Sequence, residues 1–308
     1  MSIASRSLFI FFAFIIAGGA SEAKAGETIR VVTSFSVLGD LVKNVGGDRV
    51  DVTTLVGPNG DVHVYEPTPA AARTVGEAGV VFVNGLGLEG WMDRLIKASG
   101  YKGAVAVASN GVTPRKIEDA EHDGGAKGGR MFIDPHAWQD IRNGMLYVDN
   151  IAQALGSADP AGTATYKANA DAYKAKLVEL DKWVRSQFFA IPRQKRRMVT
   201  THDAFGYFGA AYEVSILTTT GLSTESEPSA GEVKKLIRQI KKEKVTAVFL
   251  ENVTDPRMIE QIAKESGATV GGELFSDALS KPDGPASTYI DMFENNVTKI
   301  LTAMRKGL

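Results

Sequence analysis

Cysteine does not occur anywhere in the 308-residue chain. Its absence excludes a disulfide framework, thiolate-bound zinc, an iron–sulfur cluster and a cysteine nucleophile. Histidine is scarce, with four residues, so any transition-metal site must be assembled from those imidazoles and from carboxylates. An excess of either charge is missing too. Thirty-five basic side chains against 36 acidic leave a net charge of −1, which gives no field favouring nucleic acid or an anionic membrane. No apolar run reaches the ~20 residues that a spanning helix needs. No G-x-x-x-x-G-K-[ST] is present, so nothing points to ATP hydrolysis by this chain. What is there is ordinary globular material, 44% hydrophobic, in a length that suits two domains of ~100–200 residues.

Residues 1–25 read as a secretory signal peptide. A short polar stretch carrying Arg6 precedes the apolar run LFIFFAFIIA, and Ala23-Lys24-Ala25 supplies an A-x-A cleavage site. With no Cys at that site to take a lipid, the expectation is an exported mature protein, free in the periplasm and monomeric.

Short β-rich runs then alternate with helical stretches. Residues 29–33, 50–56, 80–83 and 104–107 read as strands, as do 197–201, 214–217, 245–250 and 268–274, with helices at 37–45, 230–242 and 256–266. Such alternation in two batches predicts an α/β protein with two parallel-sheet lobes. Between the batches, Tyr166, Ala170, Tyr173, Leu177, Leu180, Val184 and Phe188 recur at steps of three or four. They predict one helix over about 160–190, long enough to run the length of both lobes. The expected division is a leader at 1–25, an N-terminal lobe at 26–158, a bridging helix at 159–191 and a C-terminal lobe at 192–308. Residues 113–130, polar and Gly-rich, read as a mobile surface loop.

The histidines are not scattered evenly. His63 follows a strand, His202 stands at the carboxyl end of another, and His136 lies in the connection after the loop at 113–130. In open α/β sheets ligands bind outside the carboxyl ends of strands. Three imidazoles in such turns, flanked by Pro, Gly or Asp, suggest a metal site, because imidazole is the commonest metal ligand. The fourth, His122, falls in the polar loop. A closed site needs a fourth donor, and Asp277 follows the last strand in the same manner, although spacing alone does not choose it among 36 acidic residues.

The segments PNGDVHVYEP around His63, NGLGLEGW at 84–91, DPHAW around His136, THDAFGYF at 201–208, ESEPSAGEV at 225–233, VFLE at 248–251 and LFSDAL around Asp277 resemble the cluster A-I metal-binding periplasmic proteins. These are solute-binding partners of zinc and manganese ABC importers. The resemblance spans almost the whole mature chain. It implies two α/β lobes bridged by one rigid helix, with metal in the cleft between them. It further implies ligands at His63, His136, His202 and Asp277, two from each lobe, and delivery to a membrane permease with a separate ATPase, with loading from a metallochaperone also open. Val62 stands where the family commonly carries Pro, a difference that bears on loop stiffness more than on ligation. Related manganese receptors often place Glu where His202 stands, so the additional nitrogen favours Zn2+, with Mn2+ as the alternative.

Three competing readings deserve weight against it. Gly85-Leu-Gly-Leu-Glu-Gly90 matches the dinucleotide fingerprint, but no acidic residue stands ~20 positions on and the motif follows the third strand; close strand–helix packing explains these glycines. A metallo-hydrolase could use three His with Asp277 or Glu251 as base, but H-E-x-x-H is absent and a fourth ligand closes the site. A receptor for an organic solute leaves the histidines unexplained.

Overall fold

The alternating pattern becomes two four-stranded parallel sheets in the computed structural model, which describes residues 28–119, 130–218, 221–222, 224–225 and 228–306. The chain runs β1 (Ile29–Phe35), α1 (Ser36–Gly46), β2 (Val50–Val56), α2 (Pro69–Gly76), β3 (Val80–Val83), α3 (Met92–Ser99) and β4 (Ala104–Val107). These strands assemble in the order β2-β1-β3-β4, all parallel. The run Val-Val-Phe-Val of β3 is buried on both faces, as a central parallel strand covered by helices must be. At the start of α2, Thr68 accepts a hydrogen bond from the Ala71 amide and Pro69 occupies the first turn, which satisfies one orphan donor and removes another.

Residues 113–130 are not a loop throughout. Their flanks pair as an antiparallel hairpin, β5 (Lys116–Asp119) with β6 (Arg130–Ile133). Polar composition hid this, because a two-stranded ribbon with exposed faces shows no clean apolar alternation. His122 and the rest of 120–129 lie outside the described residues, as does the leader expected at 1–25.

Two helices follow, α4 (Ile141–Ala158) and α5 (Thr163–Phe189), and α5 is the long helix expected from the sequence. It begins three residues after Pro160, which instead opens a single tighter turn. Its 27 residues extend ~40 Å at 1.5 Å per residue. The seven residues read as one face are the ones it buries, mainly against α4 and α1 of the first lobe and also against α9 and α6 of the second. Each large aliphatic or aromatic side chain on that face contributes ~1.5–3 kcal/mol through burial.

The second lobe runs β7 (Arg197–Thr200), α6 (Gly206–Tyr212), β8 (Ser215–Thr218), α7 (Ala230–Glu243), β9 (Ala247–Glu251), α8 (Arg257–Ser266), β10 (Thr269–Leu274) and α9 (Tyr289–Lys306). Its sheet order is β10-β9-β7-β8, again parallel. The core is divided unequally. One cluster runs continuously from the first sheet through α4 and α5 to Phe205, Phe275 and the buried face of α9. A smaller one, with Val199, Leu236, Ile240, Val248, Ile259 and Ile262, lies between the second sheet and α7 and α8.

Candidate metal centre

Each candidate ligand lies in a connection that follows a strand. His63 follows β2, His136 follows β6, His202 follows β7 and Asp277 follows β10. The structure brings all four together, with one donor atom from each lying within 4.8 Å of the others. His63 Nε2 is 3.3 Å from His136 Nε2 and 3.1 Å from Asp277 Oδ2, and His202 Nε2 is 3.0 Å from the same oxygen. Around an ion with bonds of ~2.05 Å, the edge of a tetrahedron measures about 3.3 Å. The observed separations fit that scale.

The far side of two rings is held in place. His136 Nδ1 lies 2.9 Å from Asp134 Oδ1, which also accepts the His136 amide, while Asp134 Oδ2 accepts from Arg115 Nη1 at 2.9 Å. His202 Nδ1 is 2.9 Å from Glu251 Oε2, an ion-pair contact without the alignment of a hydrogen bond. Glu251 Oε1 accepts from the Thr201 and His202 amides at 2.7 and 3.0 Å, so the last residue of β9 shapes the turn carrying His202. A carboxylate behind each imidazole sets its tautomer and turns Nε2 towards the shared point. The sequence offered a signal for both supports: Asp134 stands two residues before its histidine in DPHAW, and Glu251 ends a strand in VFLE.

Asp277, His136 and His202 have no solvent exposure, and the His63 side chain retains 6%. His63 forms part of the wall of an open cleft of about 530 Å³, with Tyr65, Glu66, Trp91 and Arg94. This is the wet side of the site. Burial disfavours charge on His202, yet Glu251 and Asp277 outweigh it and raise its pKa well above the imidazole range. Burial pushes Asp277 the other way, but His202 and His136 hold its carboxyl well below the usual carboxylate range. Asp277 Oδ1 is buried with no hydrogen-bond partner among the described residues. A buried acceptor without a partner is costly and suits a cation.

The segment carrying Asp277 is tied to the first lobe as well as its own. Trp138 Nε1 and Gln139 Nε2 donate to the Ser276 carbonyl at 3.0 and 2.7 Å, and the Leu279 amide donates to Ser36 Oγ at 2.9 Å. The glycine motif at 85–90 is closed on itself. Gly85 adopts φ +83° with Val107 so close that a Cβ would meet it at 2.5 Å, and Glu89 folds back to accept from Ser34 Oγ and the Asn84 and Gly85 amides. The motif is a self-capped turn.

Two open sheets joined by one continuous helix, with a buried cluster of three imidazoles and one carboxylate in the connections after their strands and after β6, have the arrangement of a solute-binding receptor with a candidate metal site. The chain belongs to the family described as "Zinc-uptake complex component A periplasmic", whose model matches residues 31–303. It is 34% identical over 301 residues to the manganese-binding lipoprotein MntA of Halalkalibacterium halodurans, covering 96% of this chain and 97% of that one. Among solved structures, the periplasmic zinc binding protein TroA from Treponema pallidum is similar with a TM-score of 0.82 and 29% identity, over 90% of this chain and 99% of that one. A manganese-bound periplasmic metal binding protein from Candidatus Liberibacter asiaticus is similar with a TM-score of 0.79 and 30% identity, over 90% and 100%. This chain is therefore a periplasmic metal-binding, substrate-binding protein of an ABC transporter, a class that works with a membrane permease and an ATPase.

One expectation is corrected by these relatives. MntA is named a lipoprotein, and so are further relatives that match over nearly their whole length. The names indicate work at a membrane surface, and the unanchored, freely diffusing carrier expected from the sequence does not stand. That expectation rested only on a missing residue type. Confinement near the permease also has a physical logic, because tethering raises the effective concentration of carrier at its target.

Proposed function

We propose that this chain captures Zn2+ and passes it to the permease, with His63, His136 and His202 bound through Nε2 and Asp277 as the fourth ligand. The observation that carries the reading is the convergence of four donor atoms within 4.8 Å, two of the imidazoles backed by carboxylates. Three nitrogens and one carboxylate oxygen suit tetrahedral zinc. With zinc present, the dication and Arg115 balance the carboxylates of Asp277, Asp134 and Glu251. The protein acts as a receptor and not as an enzyme: four ligands fill a tetrahedral shell, and Glu251 faces His202 and backbone amides instead of an open water position. It works as a monomer, exported by the leader at 1–25, and takes zinc from solution or from a metallochaperone.

One observation favours a second reading, Mn2+. Asp277 presents both oxygens to the cluster, Oδ2 to His63 and His202 and the unpartnered Oδ1 at 3.7 Å from His136 Nε2. A bidentate carboxylate raises the coordination number, and manganese prefers more oxygen than zinc. Competitive titration of metal-free protein with zinc and manganese, followed by calorimetry, tests the choice. Zinc displacing manganese at equal concentration supports the first reading, and manganese retained against zinc overturns it.

A further inference from the structure

One face of α1 reaches across to the second lobe at two points a helical turn apart. Ser36 Oγ accepts the Leu279 amide at 2.9 Å, two residues beyond Asp277. Asp40 Oδ2 accepts the Tyr289 amide at 2.9 Å, at the first residue of α9. These two bonds hold both ends of the connection from Asp277 to α9. Residues four apart on a helix share a face, so a single rigid element sets the span between the two anchor points. A carboxylate at a helix N-terminus both satisfies an orphan amide and faces the positive end of the helix dipole. Here the capping carboxylate belongs to the other lobe.

We infer that Asp40 is a remote positioning residue for metal retention: by capping α9 from α1 it fixes the segment that carries Asp277. The inference rests on the metal-site reading above. Asp40 touches none of the candidate ligands and acts only through this segment.

The groups facing Asp40 come from three helices. On α1, Asn44 Nδ2 donates to Asp40 Oδ1 at 3.1 Å, and Lys43 adds positive charge. On α9 the Tyr289 amide is the bonded partner and Asp291 adds negative charge. On α5 the buried Tyr173 phenol lies beside the carboxylate without the alignment of a hydrogen bond. Burial pushes the Asp40 carboxyl up to about 6, against the pull of the Tyr289 and Asn44 bonds. A carboxyl raised in the folded state lowers stability as pH rises from its unfolded value near 4 through about 6, because the folded form gives up its proton less readily.

Coupling is reciprocal, so a cap that favours metal binding is itself favoured by the metal. The test uses the full chain with zinc, after confirming that the wild type binds it; absence of binding there removes the site reading and not this one alone. Asp40→Ala is expected to speed zinc loss to a chelator by roughly five- to tenfold. Asp40→Asn retains an acceptor for the Tyr289 amide and is expected to restore the wild-type rate. In metal-free protein, the stability of Asp40→Asn relative to the wild type should grow between pH 4 and 7. Val75→Ala, buried on α2, which carries no candidate ligand and neither anchor, serves as the control for general destabilisation. Should Asp40→Ala not fold, amide exchange in the wild type decides instead, with the Tyr289 amide expected to exchange more slowly when zinc is bound. Equal zinc loss from wild type and Asp40→Ala overturns the inference. The same holds for an equal acceleration in Val75→Ala, or for a Tyr289 amide indifferent to zinc.

Discussion

His202 is the residue on which the pH behaviour turns. It is buried between Glu251 and Asp277, and those carboxylates hold a proton on it well above the usual imidazole range despite the cost of burial. In the metal-free protein that raised value stabilises the fold fully below ~6.5, the unfolded imidazole value, and the contribution is lost as pH rises through the folded one. Metal capture runs the opposite way. The ring must shed its proton to ligate, so affinity should climb with pH through the same range, and acid should begin to weaken capture above ~6.5. Calorimetry at pH 6, 7 and 8, in buffers of different ionisation enthalpy, should find about one proton released per ion at the lower values. A flat affinity with no proton release contradicts the assignment of His202. Replacing His202 by Ala removes a candidate ligand and should lower zinc affinity steeply. Glu251→Gln leaves the ligand in place but alters what orients it, so the affinity loss should be intermediate, ~10–100-fold in a chelator competition. Equal losses in the two variants would assign Glu251 a direct role at the ion.

Among the elements, α6 has an unusual start. Gly206 opens it, and a Cβ there would lie 1.9 Å from Arg115 Nη1 and 2.7 Å from Asp134 Oδ2. Alanine normally stabilises a helix relative to glycine by ~0.5–1 kcal/mol. Gly206→Ala should do the reverse here, because Arg115 must leave Asp134 and the carboxylate behind His136 loses its partner. Lower melting temperature together with roughly tenfold weaker zinc binding is the expected result; a stabilised variant with normal binding would show that the Arg115–Asp134 pair does not orient His136. This contact was not legible in the sequence, since it joins residues 91 positions apart through a loop whose interior shows no period. Other elements were legible for plain reasons. The face of α5 was readable because seven buried residues keep helical spacing over 27 positions. The three site histidines were readable because each stands in a turn beside a strand, whereas choosing Asp277 needed the resemblance. α9 carried an equally clear signal, with Tyr289, Met292, Phe293, Val297, Ile300, Leu301 and Met304 on one face, but lay beyond the last strand read. Its packing on α1 and α5 explains why that face is apolar.

For the whole molecule, the division of the core decides which parts respond to the ion. The larger cluster joins the first sheet, α4, α5 and α9, and the hydrogen bonds from Trp138, Gln139 and Ser36 fasten the Asp277 segment to the same body. His63 and His136 belong to that body as well. His202 differs, because the Glu251 carboxylate that takes its backbone amide ends β9, which packs partly on the smaller cluster with α7 and α8. Three candidate ligands thus stand on one large core, and the fourth is shared, with Met198, Ala204 and Phe205 in the larger cluster and Val199 and Val248 in the smaller. Binding to the native state alone adds about 4 kcal/mol when free ion exceeds Kd a thousandfold. That gain should be unevenly spread, since an element already held by a large core gains little protection, while one held by a small core gains most from a ligand that bridges the two. Amide exchange with and without zinc should therefore show protection concentrated in β7, β9 and α8, with α4 and α5 nearly unchanged and the Tyr289 amide, at the anchor of the Asp277 segment, the exception within the larger body. Uniform protection across both lobes would mean that the two cores already open and close as one unit, and that His202 is no more movable than the other three.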